Sequence, residues 1–528
     1  MRKQLFIACL VLMAVPALYS CKKGFQDLNV DPINIISTSP SRLLAPALVN
    51  SVWPGMNKNR SFTNELMQVT VAQSDGDATI FRYAFRANVS DYLWNAWYGQ
   101  LTNFKQVDSL GRGGEHAKVD SANATYQGIG KVCKVWLFSN LTDGYGDIPY
   151  FHALEGDQQN VVAAFDRQKD IYLDMFDRLE EANTLLAKGD VIVPSSDPVY
   201  QGNVDKWRRF SNSLYLRLLL RISGKADVQQ QCIAKIKQIV ENPTQYPIFQ
   251  TNADCARLLW SGGTSTTDPY TNPYVINVRT SDFKGPAICS FFLDHLVSWS
   301  DPRYVSASPY GTGSIGAFGI AQASGGGWVG VESGYATGHG VTKGCYFQSY
   351  DASSGGGTAS LQQSKITGIM MQTAEVKFIL AEAALKGWIG TAGDTKKYWY
   401  QGMASAINYW VAAFPEDTAA SQFKTHVSNL ANVSENWDES LTVEGKMELI
   451  HLQKYYALFL TDLQQWYEYR RTGHPVLPKG QGLSNGGVMP ARMVYPVYIQ
   501  AANPVNYKAA VVAQGNDEIS TNVWWQQP

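Results

Sequence analysis

The sequence lacks an excess of charge of either sign. It contains 44 lysine and arginine residues against 45 acidic residues, for a net charge of -1, and only 17% of its residues are charged. A nucleic-acid-binding surface needs an excess of basic side chains to neutralise phosphates, and binding to anionic lipid needs clustered basic residues. We therefore expect no nucleic-acid partner.

Cysteine is also scarce, and its spacing excludes two kinds of stabilised fold. Beyond residue 21 the cysteines are Cys133, Cys232, Cys255, Cys289 and Cys345, an odd number with no C-x-x-C pair. This pattern fits neither a disulfide framework nor a zinc site, although it leaves room for one bridge. The histidines are scattered and include no H-E-x-x-H motif, so we predict no bound metal and no cofactor.

Long apolar runs are missing except at the N terminus. Arg2 and Lys3 precede an apolar run over residues 5–17 that is too short to span a bilayer, and the sequence LYSC then ends at Cys21. LYSC resembles the bacterial lipobox, and the alternative is an ordinary secretory signal cleaved nearby. The resemblance implies a lipoprotein signal peptide over residues 1–20 and lipidation of Cys21.

Acyl chains on Cys21 would hold the mature protein at a membrane, because one chain binds only marginally and two or more anchor it stably. We expect radiolabelled palmitate to enter the wild-type protein and to be absent from the Cys21→Ala variant. Equal labelling of both proteins, or no labelling of either, would contradict lipidation at this position.

The segment LTDGYGDIPY, residues 141–150, suggests a calcium loop at first sight. Asp143 and Asp147 stand at positions one and five of such a loop, but Ile148 stands where the loop needs glycine. Its glycines allow positive φ, and Pro149 excludes the preceding residue from the α region. We therefore interpret the segment as the end of a helix with no chemistry of its own.

Helical periodicity is the most abundant signal in the sequence. Apolar residues recur at alternating steps of four and three along four segments, which are residues 119–140, 172–186, 207–222 and 449–466. Residues 374–410 read as two helices of about sixteen residues around a Gly-rich turn, like a tetratricopeptide unit. Residues 91–141 and 168–222 form similar pairs. We predict a mainly α fold, with tetratricopeptide-like helix pairs as a scaffold and few short strands.

Residues 243–365 differ in composition and show no sustained helical period. They are rich in Gly, Ser, Thr and Pro, and a loop region this long inside a compact domain is usually functional or disordered. Their many aromatic residues argue for order. We predict an irregular binding region here and an irregular segment at 476–528, with the scaffold at 41–242 and 366–475 and a flexible tether at 21–40.

Several motifs, in this order, resemble the SusD/RagB family of Bacteroidota outer-membrane lipoproteins. They are the lipobox followed by DLNVDP, LTDGYGDIPY, the AEAALKG helix pair, and the helix that ends in RRTGHP. The resemblance makes residues 41–528 one SusD-like domain and implies a protein that is not an enzyme. It also implies a lipid anchor in the outer membrane, exposure at the cell surface, and capture of oligosaccharides or, in some branches, peptides. The implied partner is a SusC-type TonB-dependent transporter that receives the ligand.

Aromatic side chains are the candidates for ligand contact, because a pyranose ring offers flat patches of C–H groups that pack on an aromatic face. We predict seven such residues from the irregular region and the N-terminal segments, which are Trp53, Tyr83, Tyr274, Tyr310, Trp328, Tyr335 and Tyr346. Five tryptophans on helical stripes are instead expected in the core, namely Trp94, Trp97, Trp136, Trp207 and Trp466. The alternatives to glycan capture are a lipid-anchored glycoside hydrolase and an assembly factor that binds only the transporter.

Overall fold

A computed structural model describes residues 38–74, 79–113, 122–156, 162–311, 313–350, 359–421, 423 and 437–528. The signal peptide, Cys21 and nearly all of the predicted tether lie outside these residues. Within them the chain is mainly α-helical with a few short strands, so the predicted fold class is confirmed. No helix in the described segments combines the length and the apolar character needed to cross a bilayer.

The helices are α1 Pro40–Lys58, α2 Asn64–Leu66, α3 Asp91–Gly111, α4 Ala124–Tyr145, α5 Gln168–Leu186, α6 Val204–Ile222, α7 Gln229–Glu241, α8 Pro273–Asn277, α9 Thr280–Lys284, α10 Ser290–Ser298, α11 Thr373–Leu385, α12 Ala392–Trp410, α13 Val443–Ala457, α14 Gln464–Thr472, α15 Val497–Ala502 and α16 Pro504–Gln514. The strands are β1 Thr70–Val71, β2 Ala256–Leu258, β3 Ala287–Ile288, β4 Val305–Ser306, β5 Ser314–Ile315, β6 Ile320–Gln322, β7 Cys345–Phe347 and β8 Gly368–Met371. The strands form antiparallel pairs, which are β1 with β3, β2 with β8, β4 with β5 and β6 with β7.

Consecutive helices pack side by side and build the scaffold. The three predicted pairs are present as α3 with α4, α5 with α6, and α11 with α12, and α4 also packs on α5. Side chains define where several of these helices begin: Asn123 accepts a hydrogen bond from the amide of Tyr126 in α4, and Thr391 and Asp394 form a capping box at the start of α12. The five tryptophans expected in the core are all buried.

Two glycines set how closely α4 approaches its neighbours. A Cβ on Gly128 would lie 2.7 Å from Cγ of Leu186 in α5, and a Cβ on Gly130 would lie 2.8 Å from the amide nitrogen of Asp108 in α3. Both helices therefore touch the backbone of α4 directly, on two of its sides. This explains why α4 is buried along nearly its whole length.

The segment LTDGYGDIPY is a helix end, as predicted. Helix α4 stops at Tyr145, and Gly146 takes a φ of 88° that favours glycine. One residue later, the Asp147 carboxylate accepts a hydrogen bond from the amide of Gln168 at 2.8 Å and pairs with Arg167 at 2.7 Å. The segment thus connects the end of α4 to the start of α5, and both aspartates of the apparent calcium loop are used in packing.

The apolar pattern over residues 449–466 belongs to two helices, so the prediction of a single helix is wrong. Helix α13 ends at Ala457 and α14 begins at Gln464, with Leu460 at a φ of 64° and Asp462 at 34°. The Asp462 carboxylate accepts hydrogen bonds from the amide of Leu463 and from Asn140, and its carbonyl oxygen accepts one from Asn59. These buried polar contacts stabilise the break, while the apolar side chains on both sides of it still face the core.

The C-terminal segment 476–528 is more regular than predicted, because it contains α15 and α16. Helix α16 begins at Pro504, which suits a first helical turn. Its valines Val505 and Val512 are exposed, and only Ala510 and Gln514 are buried along its length. The helix therefore has no apolar stripe from which the sequence could have predicted it.

A buried charge network joins the two most family-specific motifs. Arg221 of α6 lies between Asp143 of α4, at 3.3 Å, and Glu468 of α14, at 3.1 Å. Lys454 of α13 pairs with the same Glu468 at 2.8 Å, and all four side chains are buried. Arg470 of the RRTGHP segment donates to the carbonyl oxygen of Asp143. Four helices from distant parts of the sequence thus meet at one set of paired charges.

The five cysteines beyond residue 21 are free thiols in the described structure, and each is buried. The single bridge that the sequence left open is therefore absent among them. Burial raises the pKa of the Cys133 and Cys289 thiols well above the usual value, which keeps them protonated and unreactive.

Replacing Arg221 with methionine should strongly destabilise the protein. The carboxylates of Asp143 and Glu468 would each lose a buried cationic partner, and breaking a buried ion pair from one side costs about 3–5 kcal/mol. Chemical denaturation of wild type and Arg221→Met measures the change in unfolding free energy. The control is Arg279→Met, since Arg279 pairs with Asp282 on the exposed surface and its loss should leave the midpoint unchanged. Equal midpoints for all three proteins would contradict a structural role for Arg221.

His474 makes the stability depend on pH. Its Nδ1 lies 2.6 Å from the Glu448 carboxylate and its Nε2 lies 3.0 Å from that of Glu444, and the hydrogen bond to Glu448 raises the pKa of His474 above its usual value of 6.5. The charged ring then stabilises the fold fully below pH 6.5, and this contribution disappears as the pH rises through the raised pKa.

The variant His474→Gln should therefore be less stable than wild type by about 1–2 kcal/mol at pH 5.5, with a smaller gap at pH 8.5. Unfolding titrations across this range measure the gap, and His339→Gln on an exposed loop is the control. A gap that stays constant or widens with pH would exclude a charged His474.

Candidate functional site

Strands β6 and β7 support the centre of the Gly-rich region. Ile320 pairs with Phe347 and Gln322 with Cys345, and residues 323–344 form the connection between the two strands. Cys345 and Phe347 are buried, whereas Tyr346 between them is half-buried. Since successive side chains of a strand point to opposite faces, Tyr346 lies on the face away from the core.

The connection between these strands is held by backbone contacts. The amide of Val331 donates to the carbonyl of Ile288, and the amide of Ser290 at the start of α10 donates to the carbonyl of Val331, both at 2.9 Å. A Cβ on Gly330 would lie 2.4 Å from Ser290, and a Cβ on Gly344 would lie 2.3 Å from the carbonyl oxygen of Val329. These two glycines thus occur where backbone packs on backbone.

Trp328 is the largest side chain of this connection that remains partly accessible. It is half-buried, and its ring meets that of Tyr304 edge to face, with centroids 5.0 Å apart and planes at 90°. Tyr304 is buried at the base of the β4–β5 hairpin. Val329, which directly follows Trp328 in the sequence, is exposed. Tyr304 therefore fixes the indole ring while part of that ring stays open to solvent.

A cation lies beside Tyr346. The Lys343 ammonium is 5.0 Å from the centre of the Tyr346 ring and donates to the carbonyl of Lys284 at 2.8 Å. Burial lowers the pKa of Lys343. The Cys345 thiol next to Tyr346 donates to the carbonyl of Gly327, which precedes Trp328. We call the region that contains these two pairs, Tyr304 with Trp328 and Lys343 with Tyr346, the loop face.

Tyr310 and Tyr335 lie in separate settings. Tyr310, at the tip of the β4–β5 hairpin, is half-buried against Phe414 with centroids 5.6 Å apart, and burial raises its pKa to about 12. Tyr335 is buried: its ring stacks on Phe81 at 5.1 Å, the Arg82 guanidinium lies 4.7 Å from its centre, and its hydroxyl donates to the carbonyl of Ala72. Tyr310 keeps an accessible edge, whereas Tyr335 is covered by its own neighbours.

Besides the buried Tyr335, two more of the seven predicted contact residues are core residues in the structure, so three of the seven are buried. Tyr83 is 2% exposed, and Tyr274 is 1% exposed with its hydroxyl donating to the carbonyl of Met56 at 2.9 Å. Neither ring offers a face to a ligand, so we exclude both from the candidate site. Trp53 is half-buried on α1, and its indole nitrogen is buried with no hydrogen-bond partner among the described residues.

The sequence interpretation missed Tyr304, Lys343 and Arg82. Tyr304 and Lys343 lie in the predicted binding region, and a search for residues that flank the named aromatics there would have reached Lys343. Arg82 lies between Phe81 and Tyr83 in the sequence, and its guanidinium packs on the buried rings of Phe81 and Tyr335, outside the loop face. No local pattern relates Tyr304 to Trp328, because their contact depends on the fold.

One group of described residues has the composition of a metal site. Ligand atoms of Glu382, His451 and Glu468 lie within 4.8 Å of one another, and all three side chains are buried. Their carboxylates already pair with cations: Glu382 with Arg471 at 2.8 Å, and Glu468 with Arg471 and with Lys454. A metal ion here would meet these positive charges at contact distance, so the group is better explained as part of the buried charge network.

The sequence matches the SusD-like family, which is described as starch-binding and as associating with the outer membrane, over residues 32–496. Because the match covers most of the chain, this protein belongs to the SusD-like family. The resemblance inferred from the motifs is therefore confirmed. A comparison with curated protein sequences finds no match.

Solved structures with the same fold cover nearly the whole chain. A chitin-binding SusD homologue from Flavobacterium johnsoniae is 19% identical with a TM-score of 0.69, and 92% of this chain aligns with 98% of that one. A SusD homologue from Bacteroides fragilis is 22% identical with a TM-score of 0.69, for 93% and 100% of the two chains. One from Bacteroides uniformis is 22% identical with a TM-score of 0.65, for 91% and 99%. At these identities the likeness establishes the helical, tetratricopeptide-like fold.

Proposed function

We propose that this protein is a binding protein that captures oligosaccharides at the loop face. The observation that supports this most directly is the half-buried ring of Trp328, which Tyr304 fixes edge-on in a loop whose backbone packs against the residues next to Lys343 and Tyr346. Family membership supports glycan as the ligand class, since the family is described as starch-binding and one related structure is named as chitin-binding. Peptide is the alternative ligand class.

The chemistry of the loop face suits a sugar ring. The C–H groups of a pyranose pack on the negative face of an indole or phenol ring, and the Lys343 ammonium can donate to sugar hydroxyls. Each stacked ring contributes about 0.5–1.5 kcal/mol beyond area burial, so two or three rings give at most about 4 kcal/mol and a roughly millimolar affinity. The loop face alone should therefore hold glycans weakly.

To hold a glycan more tightly than this, a second surface must contact it as well. In our proposal this surface belongs to a SusC-type TonB-dependent transporter, which receives the glycan from the captured complex. A lipid anchor on Cys21 would keep the two proteins on the same outer membrane, and a flexible tether over residues 21–40 would allow the binding domain to move against the transporter. The family association with the outer membrane supports this arrangement.

Binding fits the loop face better than glycoside hydrolysis does. Hydrolysis needs two carboxyl groups on either side of the bond, with one of them able to protonate the leaving oxygen. Residues 304–347 contain a single acidic residue, the exposed Glu332, and therefore supply no pair of carboxyl groups. The nearest acidic residue before them in the sequence is Asp301, which is buried and held by Arg303 at 2.7 and 2.9 Å. That carboxylate is committed to an ion pair and cannot reach solvent.

The substitution Trp328→Ala should weaken glycan binding about tenfold without a large change in melting temperature. Isothermal titration with maltooligosaccharides, chitooligosaccharides and short peptides identifies a ligand and measures the effect. The matched control is Trp388→Ala, because Trp388 is also half-buried, yet lies on the scaffold.

Unchanged affinity for every bound glycan in the Trp328→Ala variant would remove Trp328 from the site. Binding of peptides with no binding of glycans would favour the alternative ligand class. If neither class binds, the assembly-factor interpretation becomes the better one.

A further inference from the structure

A cavity of about 310 Å³ opens on the scaffold between α3, α4 and α5. Residues 150–155, which follow the end of α4, close one side of it. All of its lining residues come from these elements, so it is separate from the loop face and is not used by the function proposed above. Its volume lies at the lower end of the range for small-molecule sites, about 300–1,000 Å³.

One wall of the cavity is aromatic. The Phe138 and Tyr150 rings meet edge to face with centroids 4.5 Å apart, and Phe151 meets Tyr150 at 5.0 Å and 87°. The Tyr150 hydroxyl is fixed by a 2.7 Å hydrogen bond to Asp174. Phe151 is 48% exposed, which is unusual for a phenylalanine. Its ring is held in place by Tyr150 and still presents a large open area at the cavity.

The opposite wall carries more positive than negative charge. The charged side chains that line the cavity are Lys105, Lys131, Lys134 and Arg178, against the two carboxylates Glu155 and Asp174, and Asp174 is paired with Arg178. Lys134 and Lys131 also contact a buried carboxylate behind the lining, that of Asp108, at 2.9 and 3.6 Å, and the exposed Arg112 reaches the same carboxylate from outside the cavity at 3.3 Å. Lys131 has a second partner in Glu181 at 2.8 Å, but this glutamate is open to solvent. Three cations therefore share one buried anion, and burial lowers the pKa of Lys134 despite that partner. An added anion near Lys134 would be stabilised.

We propose that this cavity is a second binding site, for a sugar ring that carries a carboxylate, as in hexuronic acids. The ring packs on Phe151 and Tyr150, and the carboxylate approaches the ammonium groups of Lys134 and Lys131. The volume accommodates one such ring. The choice of a sugar over another small carboxylate rests on the proposed function, whereas the aromatic and cationic walls are independent of it. A second site on the scaffold would let the protein prefer acidic glycans and hold a chain at two points.

The test is titration of the mature chain with D-glucuronate, D-glucose and acetate. Glucuronate should bind at about millimolar strength, and glucose and acetate should each bind at least about fivefold more weakly, because each lacks one of the two recognised groups. Raising the salt concentration should weaken glucuronate binding and leave any glucose binding unchanged.

Two variants with matched controls locate the site. Phe151→Ala and Lys134→Gln should each weaken glucuronate binding about fivefold. Tyr498→Ala is the control for Phe151→Ala, because Tyr498 is 47% exposed and Phe151 is 48% exposed. Lys235→Gln is the control for Lys134→Gln, because the two lysine side chains are 22% and 21% exposed and contact a carboxylate at 2.8 and 2.9 Å. Both controls should bind as wild type does. Phe151→Ala lies on the surface and should fold normally.

The proposal is wrong if glucuronate shows no saturable binding, if glucose binds as tightly as glucuronate, or if the controls lose as much affinity as the site variants. Acetate binding equal to glucuronate would make the cavity a general carboxylate site and overturn the sugar assignment. Trp328→Ala should leave glucuronate binding intact, and Phe151→Ala should leave neutral glycan binding intact. Failure at one site is thereby distinguished from failure at the other.

Discussion

The fold depends on charges that are buried and must stay paired. Arg221 lies between Asp143 and Glu468, and Lys454 pairs with the same glutamate, all of them shielded from water. An unpaired charge at this depth costs several kcal/mol, so α4, α6, α13 and α14 can pack in only one arrangement that pairs every member. The motifs LTDGYGDIPY and RRTGHP are two parts of this network. Their joint occurrence in the sequence follows from their contact in the structure.

In the proposed function, a preformed loop face matters because each contact with a glycan would be weak. A face that yields only about 4 kcal/mol from stacking cannot also order a mobile loop of some twenty residues, since fixing each backbone residue costs about 1–2 kcal/mol. The close backbone contacts at Gly330 and Gly344 and the hydrogen bonds to α10 place Trp328 before any ligand arrives. At these two positions glycine thus allows close backbone packing that keeps the loop ordered. Because the loop is already ordered, none of the stacking energy is lost to ordering it when a ligand binds.

The sequence predicts what is local and misses what depends on distant contacts. The helix pairs were predictable because a 3.6-residue period is written in neighbouring residues. The break between α13 and α14 was not, because it is stabilised at Asp462 by Asn140, which lies 322 residues earlier in the chain. The exposure of an aromatic side chain is equally hard to predict from the sequence. Tyr274 and Trp328 occur in one irregular region, yet Tyr274 is buried and contacts Met56, 218 residues away. Helices α15 and α16 escaped prediction because most of their apolar residues face solvent, and Ile499 and Ala510 are the apolar residues buried in them.

The central claim is that a preformed loop face binds neutral glycans and that the helical scaffold holds this face in place without contacting those glycans. Hydrogen–deuterium exchange with and without a bound maltooligosaccharide or chitooligosaccharide tests this most directly. The account predicts slower exchange confined to residues 304–347, with the rates in α3–α6 and α11–α14 unchanged. Slower exchange across the helices with no change over residues 304–347 would contradict it.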